Sequence, residues 1–434
     1  MINGNLPKNV YSLRQSEFRA IPGNPWVYWI NENIRSLFSK LPKLDDIAKS
    51  RQGLATADNF RFLRYWWEIG LKNTERGCRN TDEAISSNAK WFTYMKGGSH
   101  KKWYGNQELN GHELKTWAAP LYGNSGWSRI IKSTNYYFRE GITYSYLTSG
   151  SFSARHSPGG FIFDVAGSSL FPDHITLFLA ILNSSFATYA LKLINPTVNF
   201  QVGDLARLPV CSNSNVMIDD LVGKAVVLSK VLESFKETSF DFIAPPSINQ
   251  EINIHNDLTE YESALDKEVY KLYGIGDHDQ QDINNEISIV EDESQIDVIA
   301  ETTNEEYLDE ANSLKDQSVK WISYAIGIVL GRFSPGKSET IGNGIFQRRN
   351  FSIGSMPPLS ENDFTELVCS NIQMGYIDKT DSCHVFLGKI EDALVDLSLP
   401  DGIGVFFENH PLDIVSRVQK TLSIMLGDVK TSEV

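Results

Sequence analysis

The sequence predicts an α+β protein, and three observations predict it. Short alternating runs, GITYSYL (141–147) and GGFIFDVAG (159–167), are bounded by Gly, Ser and Pro and have strand periodicity. The stretch HITLFLAILNSSFATYALKLI (174–194) is apolar enough and long enough for a buried helix. From Asn215 to Phe235, apolar residues recur at Ile218, Leu221, Val222, Ala225, Leu228, Leu232 and Phe235, the spacing of one helix face.

Residues 1–210 hold eight of the nine tryptophans and most of the strand-like runs, and are expected to form one domain. Asp173 is the expected N-cap of the 174–194 helix. The Asn195-Pro196 step is its expected stop, because a residue before proline is pushed out of the α region. A second helix is expected over Leu258–Tyr273. With the 215–235 helix, across the loop SFDFIAPPSINQE, it makes an antiparallel pair over 211–274 that spaces or docks domains. Residues 275–316 carry 14 acidic side chains and one basic, which predicts an acidic linker or a loosely held helix. Residues 317–434 return to patterned apolar runs and are expected to form a small mixed C-terminal domain.

The chain has 434 residues and a net charge of -14, unfavourable for a polyanion partner until it is divided. Residues 1–150 hold 21 Lys and Arg against 12 Asp and Glu, a balance of +9, whereas 151–434 hold 19 against 42, or -23. That polarity suits orientation on a polyanion, and equally a solvated acidic tail beside an ordinary domain. No secretory leader is visible and no greasy stretch is long enough to span a bilayer, so a cytoplasmic location without membrane contact is expected. Cys78, Cys211, Cys369 and Cys383 lie far apart, indicating neither a zinc site nor a disulfide framework.

Motifs for covalent chemistry are sparse. GNGIF (342–346) and DGIGVF (401–406) lack the strand-turn-helix setting of a nucleotide-binding turn. The proline pairs in IAPPSI and SMPPLS lack the flanking residues of an amino-methylating site, and there is no G-x-S-x-G and no metal-ligand histidine spacing. Asp164 is better explained as a hydrogen-bonded strand-end residue than as a nuclease carboxylate.

What the sequence offers instead is cations among rings. In RQGLATADNFRFLRYWWEIG (51–70) and KWFTYMKGGSHKKWYGNQ (90–107), Arg51, Arg61, Arg64, Lys90, Lys96, Lys101 and Lys102 interleave with tryptophan, phenylalanine and tyrosine. Such a surface can position phosphates; a packed domain with clustered lysines gives the same pattern. Gly97 and Gly98 can let backbone N–H groups approach phosphate, or make a turn. Asn195, Thr197, Asn199 and Gln201 alternate in NPTVNFQ, placing amides on one side of an extended segment to read bases, or to close a helix exit.

At these residues the chain resembles a known family. GLATADNFRFLRYWWEI, KWFTYMKGGSHKKWYGN, TNYYFREGITYSYLTSGSFSARHSPGGFIFDVAGSSLF and LAILNSSFATYALKLINPTVNFQVGDLARLPV, in this order, are similar to the region after the catalytic domain of the PglX family, adenine-specific DNA methyltransferases of BREX phage-defence systems. The resemblance continues more weakly through LDKEVYKLYGI (265–275), which also looks like the helix closing target-recognition modules of type I specificity subunits, and through WISYAIGIVLGRF (321–333). It implies a target-recognition-type domain, a helical spacer and a small mixed domain. It also implies double-stranded DNA as partner, a methyltransferase domain or subunit beside it, and other BREX proteins in reach. The family's catalytic tetrapeptide and S-adenosylmethionine turn find no matching positions, so no catalytic, cofactor or metal residue is carried over. S-adenosylmethionine is expected only in the full-length family, and this chain is expected to be inactive alone. Ala57 and Met95 depart from the glycine and asparagine expected at those places. The DNA-contact candidates are then Arg51, Asn59, Arg61, Arg64, Lys90, Lys96, Gly97, Gly98, Lys101, Lys102, Tyr104, Arg139, Arg155, Asn195, Thr197, Asn199 and Gln201. A protein-interaction module that grips a partner protein or a DNA mimic is the alternative.

Overall fold

The computed structural model describes residues 14, 21–23, 27–56, 58–66, 74–87, 89–112, 131–145, 152–195, 200–213, 215–246, 248–287, 318–326, 333–334, 344–345, 415, 418–419 and 422. In chain order the elements are α1 (Glu32–Lys40), α2 (Leu44–Ile47), β1 (Ser50–Arg51), α3 (Asn59–Phe62), β2 (Leu63–Tyr65), β3 (Thr74–Glu75), α4 (Thr81–Ser86), β4 (Trp91–Met95), β5 (Leu109–His112), β6 (Gly141–Tyr144), β7 (Ala154–Ser157), β8 (Ile162–Phe163), β9 (Ser169–Leu170), α5 (Ile175–Asn183), α6 (Ser185–Ile194), α7 (Val202–Leu205), α8 (Val216–Ser234), α9 (Ile248–Tyr273), β10 (Phe333–Ser334) and β11 (Gly344–Ile345). The fold is α+β, as the alternating and helical periodicities predict.

Two sheets lie within residues 50–170. One has the order β1-β9-β6-β7 and is antiparallel throughout. Its two-residue period separates its faces. Ile142, Tyr144 and Ala154 join the large core with α5 and α6, while Thr143 and Arg155, opposite each other in register, point away from it. In the other sheet β4 is central, antiparallel to β5 and parallel to both β3 and β8. All five residues of β4 are buried, which fits an uninterrupted WFTYM run rather than an alternating one. Phe92, Tyr94, Met95, Phe138, Ile162 and Phe163 form a second core there.

The expected single helix over 174–194 is two. α5 ends at Asn183 and α6 begins at Ser185, and their axes differ by 68°. Ser184 turns the chain in an extended conformation and caps α6 by accepting the Ala187 N–H at 3.2 Å. Asn183 holds the corner: its Oδ1 accepts from the Ala154 amide at 2.8 Å and its Nδ2 donates to the same residue's carbonyl at 2.9 Å. The residue before α5 is His174, not Asp173, and makes no side-chain cap bond. The proline stop holds: α6 ends at Ile194 and Asn195 is extended.

Both expected helices are present. α8 is capped by Asn215 as its sequence suggests, but α9 starts at Ile248, ten residues before the predicted Leu258. Ile218, Leu221, Val222 and Ala225 from α8 and Leu258, Leu265, Val269 and Tyr273 from α9 share the core with α5 and α6. Tyr273 packs its ring against Phe186 at 4.2 Å and donates its hydroxyl to Pro209 O at 2.9 Å. The first part of the acidic stretch, residues 277–287, is helical and buries Ile283. Residues 318–326 are also helical and set Tyr324 against Phe242 at 5.6 Å. No single helix among the described residues is long and apolar enough to cross a membrane; the bent α5–α6 pair that approaches the length is core.

Candidate nucleic-acid interface

Among the described residues of the two ring-rich segments most of the large rings are interior, with Tyr65 the exposed one, and this corrects the expectation of a ring-studded face. Trp66, Trp91 and Trp103 are 4%, 8% and 2% exposed, and Phe92 and Tyr94 belong to the second core. Burying such large rings contributes more to folding than exposing them could to binding.

The run SHKKWYG (99–105) is claimed by the helical pair. Lys101 Nζ lies 2.9 Å from Glu233 on α8, and their side chains are only 16% and 3% exposed. Lys102 Nζ donates to Glu262 on α9 at 3.2 Å, and Trp103 Nε1 reaches the same carboxylate at 2.6 Å. Tyr104, expected to face DNA, is 6% exposed and donates its hydroxyl to Asp241 at 2.6 Å. Trp66 Nε1 donates to Thr238 O at 2.9 Å in the same interhelical loop. Part of the acidic excess of the second half therefore neutralises the basic excess of the first internally. Burial lowers the Lys101 ammonium below the ordinary lysine range, against the pull of Glu233. His100 is held low as well, first by desolvation and then by Lys102 and Arg155. Sequence reasoning missed Glu233, Asp241 and Glu262 because their partners lie more than a hundred positions away.

Gly97 and Gly98 have packing reasons. A Cβ on Gly97 would overlap the Ala166 carbonyl oxygen, and one on Gly167 would stand 2.7 Å from Gly97 N, so these two backbones touch only as glycines. A Cβ on exposed Gly98 would meet the Asn106 amide at 2.8 Å. Asp164 is a hydrogen-bonded strand-end residue, accepting from Tyr94 Oη and Ala166 N at 2.6 Å each.

Arg155 is 0% exposed, so as folded it offers nothing to a ligand outside. Asn195 donates to Asp204 at 2.7 Å, tying the exit of α6 to α7, while Gln201 is exposed at the start of α7. Thr197 and Asn199, and the side chain of Arg61, lie outside the described residues. Arg64 is half-buried beside Trp91, its guanidinium donating to Leu63 O at 2.7 Å. Asn59 is exposed and hydrogen-bonded by Thr56.

Among the described candidates, four remain as cations reachable from outside: Lys90, exposed with Nζ 5.6 Å from the Trp91 ring; half-buried Lys96; half-buried Arg51; and exposed Arg139. Arg51 and Arg139 converge on one ring. Their guanidinium carbons stand 4.8 Å and 5.2 Å from the centroid of Tyr136, which sits in a 3-10 turn, Thr134–Tyr136. Lys132 joins them, donating to Gln52 Oε1 at 2.8 Å beside Arg51. Neither Tyr136 nor Lys132 stood out in the sequence, although the aromatic pair before Arg139 in TNYYFRE is a usable signal.

Two curated proteins are similar to this chain over about three quarters of its length. Adenine-specific methyltransferase BrxX of Escherichia coli O9:H4 (strain HS) is 31% identical over 349 residues, 74% of this chain and 27% of that protein. Adenine-specific methyltransferase PglX of Lacticaseibacillus casei (strain Zhang) is 31% identical over 362 residues, 75% of this chain and 28% of that protein. The chain is a relative of the PglX family. It spans about a quarter of the length of these PglX-type relatives. No family model matches. Among solved structures, the type IIL restriction-modification enzyme MmeI in complex with DNA aligns at a TM-score of 0.35 with 10% identity, covering 58% of this chain and 36% of that one.

In the two-glycine stretch GNGIF, Gly344 and Ile345 lie in β11, which pairs antiparallel with β10. DGIGVF lies outside the described residues. His278, Asp279 and Asp282 come within 4.8 Å of one another, but the buried Asp279 carboxylate is taken by Asn31 and Asn33, and no metal role follows.

Proposed function

We propose that this chain is the DNA-recognition portion of a BREX-type N6-adenine methyltransferase. On this reading it positions duplex DNA for a methyltransferase domain it does not itself contain, and it has no transferase activity alone. The observation that carries the reading is the 31% identity to two adenine-specific methyltransferases over three quarters of the chain. Residues 1–210 serve as the recognition domain, with the helical pair of 211–274 as its brace, 275–316 as the acidic linker and 317–434 as the C-terminal domain.

The reading now rests on fewer contacts than the sequence suggested. Lys101, Lys102, Tyr104 and Arg155 brace or fill the fold, whereas Arg51, Lys90, Lys96 and Arg139 supply the charge that meets phosphate. Four cations meeting three or four phosphates predict that log K for duplex DNA falls with log salt at a slope of about -3 to -4. Fluorescence anisotropy of a labelled duplex, titrated with the chain from low to moderate salt, checks this. Absence of duplex binding even at low salt would overturn the reading and favour the protein-interaction alternative. Replacing Lys101 and Lys102 together should leave the slope nearly unchanged, because Glu233 and Glu262 already hold them.

A further inference from the structure

We infer that Arg51, Tyr136 and Arg139 form a two-guanidinium clamp for one backbone phosphodiester of duplex DNA. This deepens the reading above and rests on it. Arg51 lies in β1, at the edge of its sheet, and its Nη2 donates to the Tyr136 hydroxyl at 3.1 Å. Its Nε is shielded from solvent by the fold and has no hydrogen-bond partner. Arg139 approaches the same ring from three residues further along the chain, with its side chain exposed.

Neither guanidinium is paired with a carboxylate among the described residues; the neighbouring Glu140 turns instead to His156 at 2.8 Å. Two like charges gathered on one ring repel each other, and the ring's negative face offsets only part of that. Lys132, beside Gln52, adds a third positive group to the same patch. An anion with several acceptor oxygens is the chemical complement, and guanidinium presents paired donors in the planar geometry a phosphodiester accepts. Tyr136 is a positioning residue. Its hydroxyl fixes the fork of Arg51, and its ring packs beside Phe171 at 5.0 Å, anchoring the turn to the core.

The test compares the full chain with Arg139→Gln, the double variant Arg51→Gln/Arg139→Gln, Tyr136→Phe, and Lys224→Gln on α8 as a remote control. Duplex affinity is measured across salt, with circular dichroism melting to confirm the fold. Arg139→Gln should reduce the slope of log K against log salt by part of the roughly 0.9 that one phosphate contributes, and the double variant by about the full 0.9, with roughly tenfold weaker binding at moderate salt. Tyr136→Phe should weaken binding with the slope retained, and Lys224→Gln should behave as the parent. Parent binding with an unchanged slope in Arg139→Gln, whose exposed position spares the fold, overturns the clamp and leaves the recognition reading standing. A parent chain that binds no duplex overturns both.

Discussion

Glu233→Ala is expected to cost the folded chain about 3–5 kcal/mol, the usual loss when one partner of a buried ion pair is removed. Glu233 is the hub of the contact between the 99–107 loop and the helices: it holds Lys101 Nζ at 2.9 Å and Lys236 Nζ at 2.6 Å while its own side chain is 3% exposed. Truncation strands the Lys101 ammonium where burial already lowers its pKa, and it also opens space against the loop backbone. That backbone is under load. Trp103, Gly105 and Asn106 have φ of 67°, 133° and 59°, and the bulky Trp103 is an uncommon occupant of the left-handed region. A Cβ on Gly105 would stand 3.0 Å from the Glu233 carboxyl carbon, so the loop is wound directly beneath it. The reciprocal change should be milder. In Lys101→Ala, Glu233 keeps Lys236, whose side chain is 46% exposed and gives up little hydration to stay. Urea denaturation of both variants at neutral pH checks the asymmetry, and equal losses would show that Lys236 does not support the carboxylate.

How much of this was legible depends on the range of the interactions. α8 follows from its apolar period and its Asn215 cap, both local. The first ten residues of α9, INQEINIHND, are mostly polar, and Ile252 there is 50% exposed, so the helix continues past the point where a buried face announces it. The corner at Ser184 was hidden for the opposite reason: with nearly every neighbour apolar the segment has no phase, and only the Asn-Ser-Ser triplet marks the break. The basic run at 96–102 was legible as charge but not as placement. Composition shows that lysines cluster; it does not show that Glu233 and Glu262 fold back over them, or that Gly97 is required by Ala166 rather than by a phosphate. Arg51 and Arg139 were both candidates, yet their meeting on Tyr136 joins residues 88 positions apart and needed the fold.

Arg155→Met should raise stability by about 1–3 kcal/mol, an unusual sign for a fully buried position. The guanidinium is 0% exposed; only Nη1 is bonded, to Ser145 Oγ at 3.0 Å, while Nε and Nη2 have no hydrogen-bond partner. Desolvation drives its pKa from the ordinary arginine range down to about 10, with Glu233 opposing. A depression of that size corresponds to about 3 kcal/mol of disfavoured charge in the folded state. Methionine removes the charge but is the shorter side chain, and the space it leaves together with the hydroxyl left alone on Ser145 returns about 1–2 kcal/mol of the gain. The direction of the pH dependence follows from the lowered folded-state value. Below about pH 10 folded and unfolded chains both hold the proton and the full cost is present; it is relieved only as pH rises through about 10 toward the ordinary arginine range, where the unfolded chain binds more protons. The stability gap between variant and parent should therefore be flat from pH 6 to pH 9 in guanidinium or urea titrations. A variant less stable than the parent would mean that the guanidinium is compensated in the folded chain, and that the second face of the β6–β7 pair is organised around its charge.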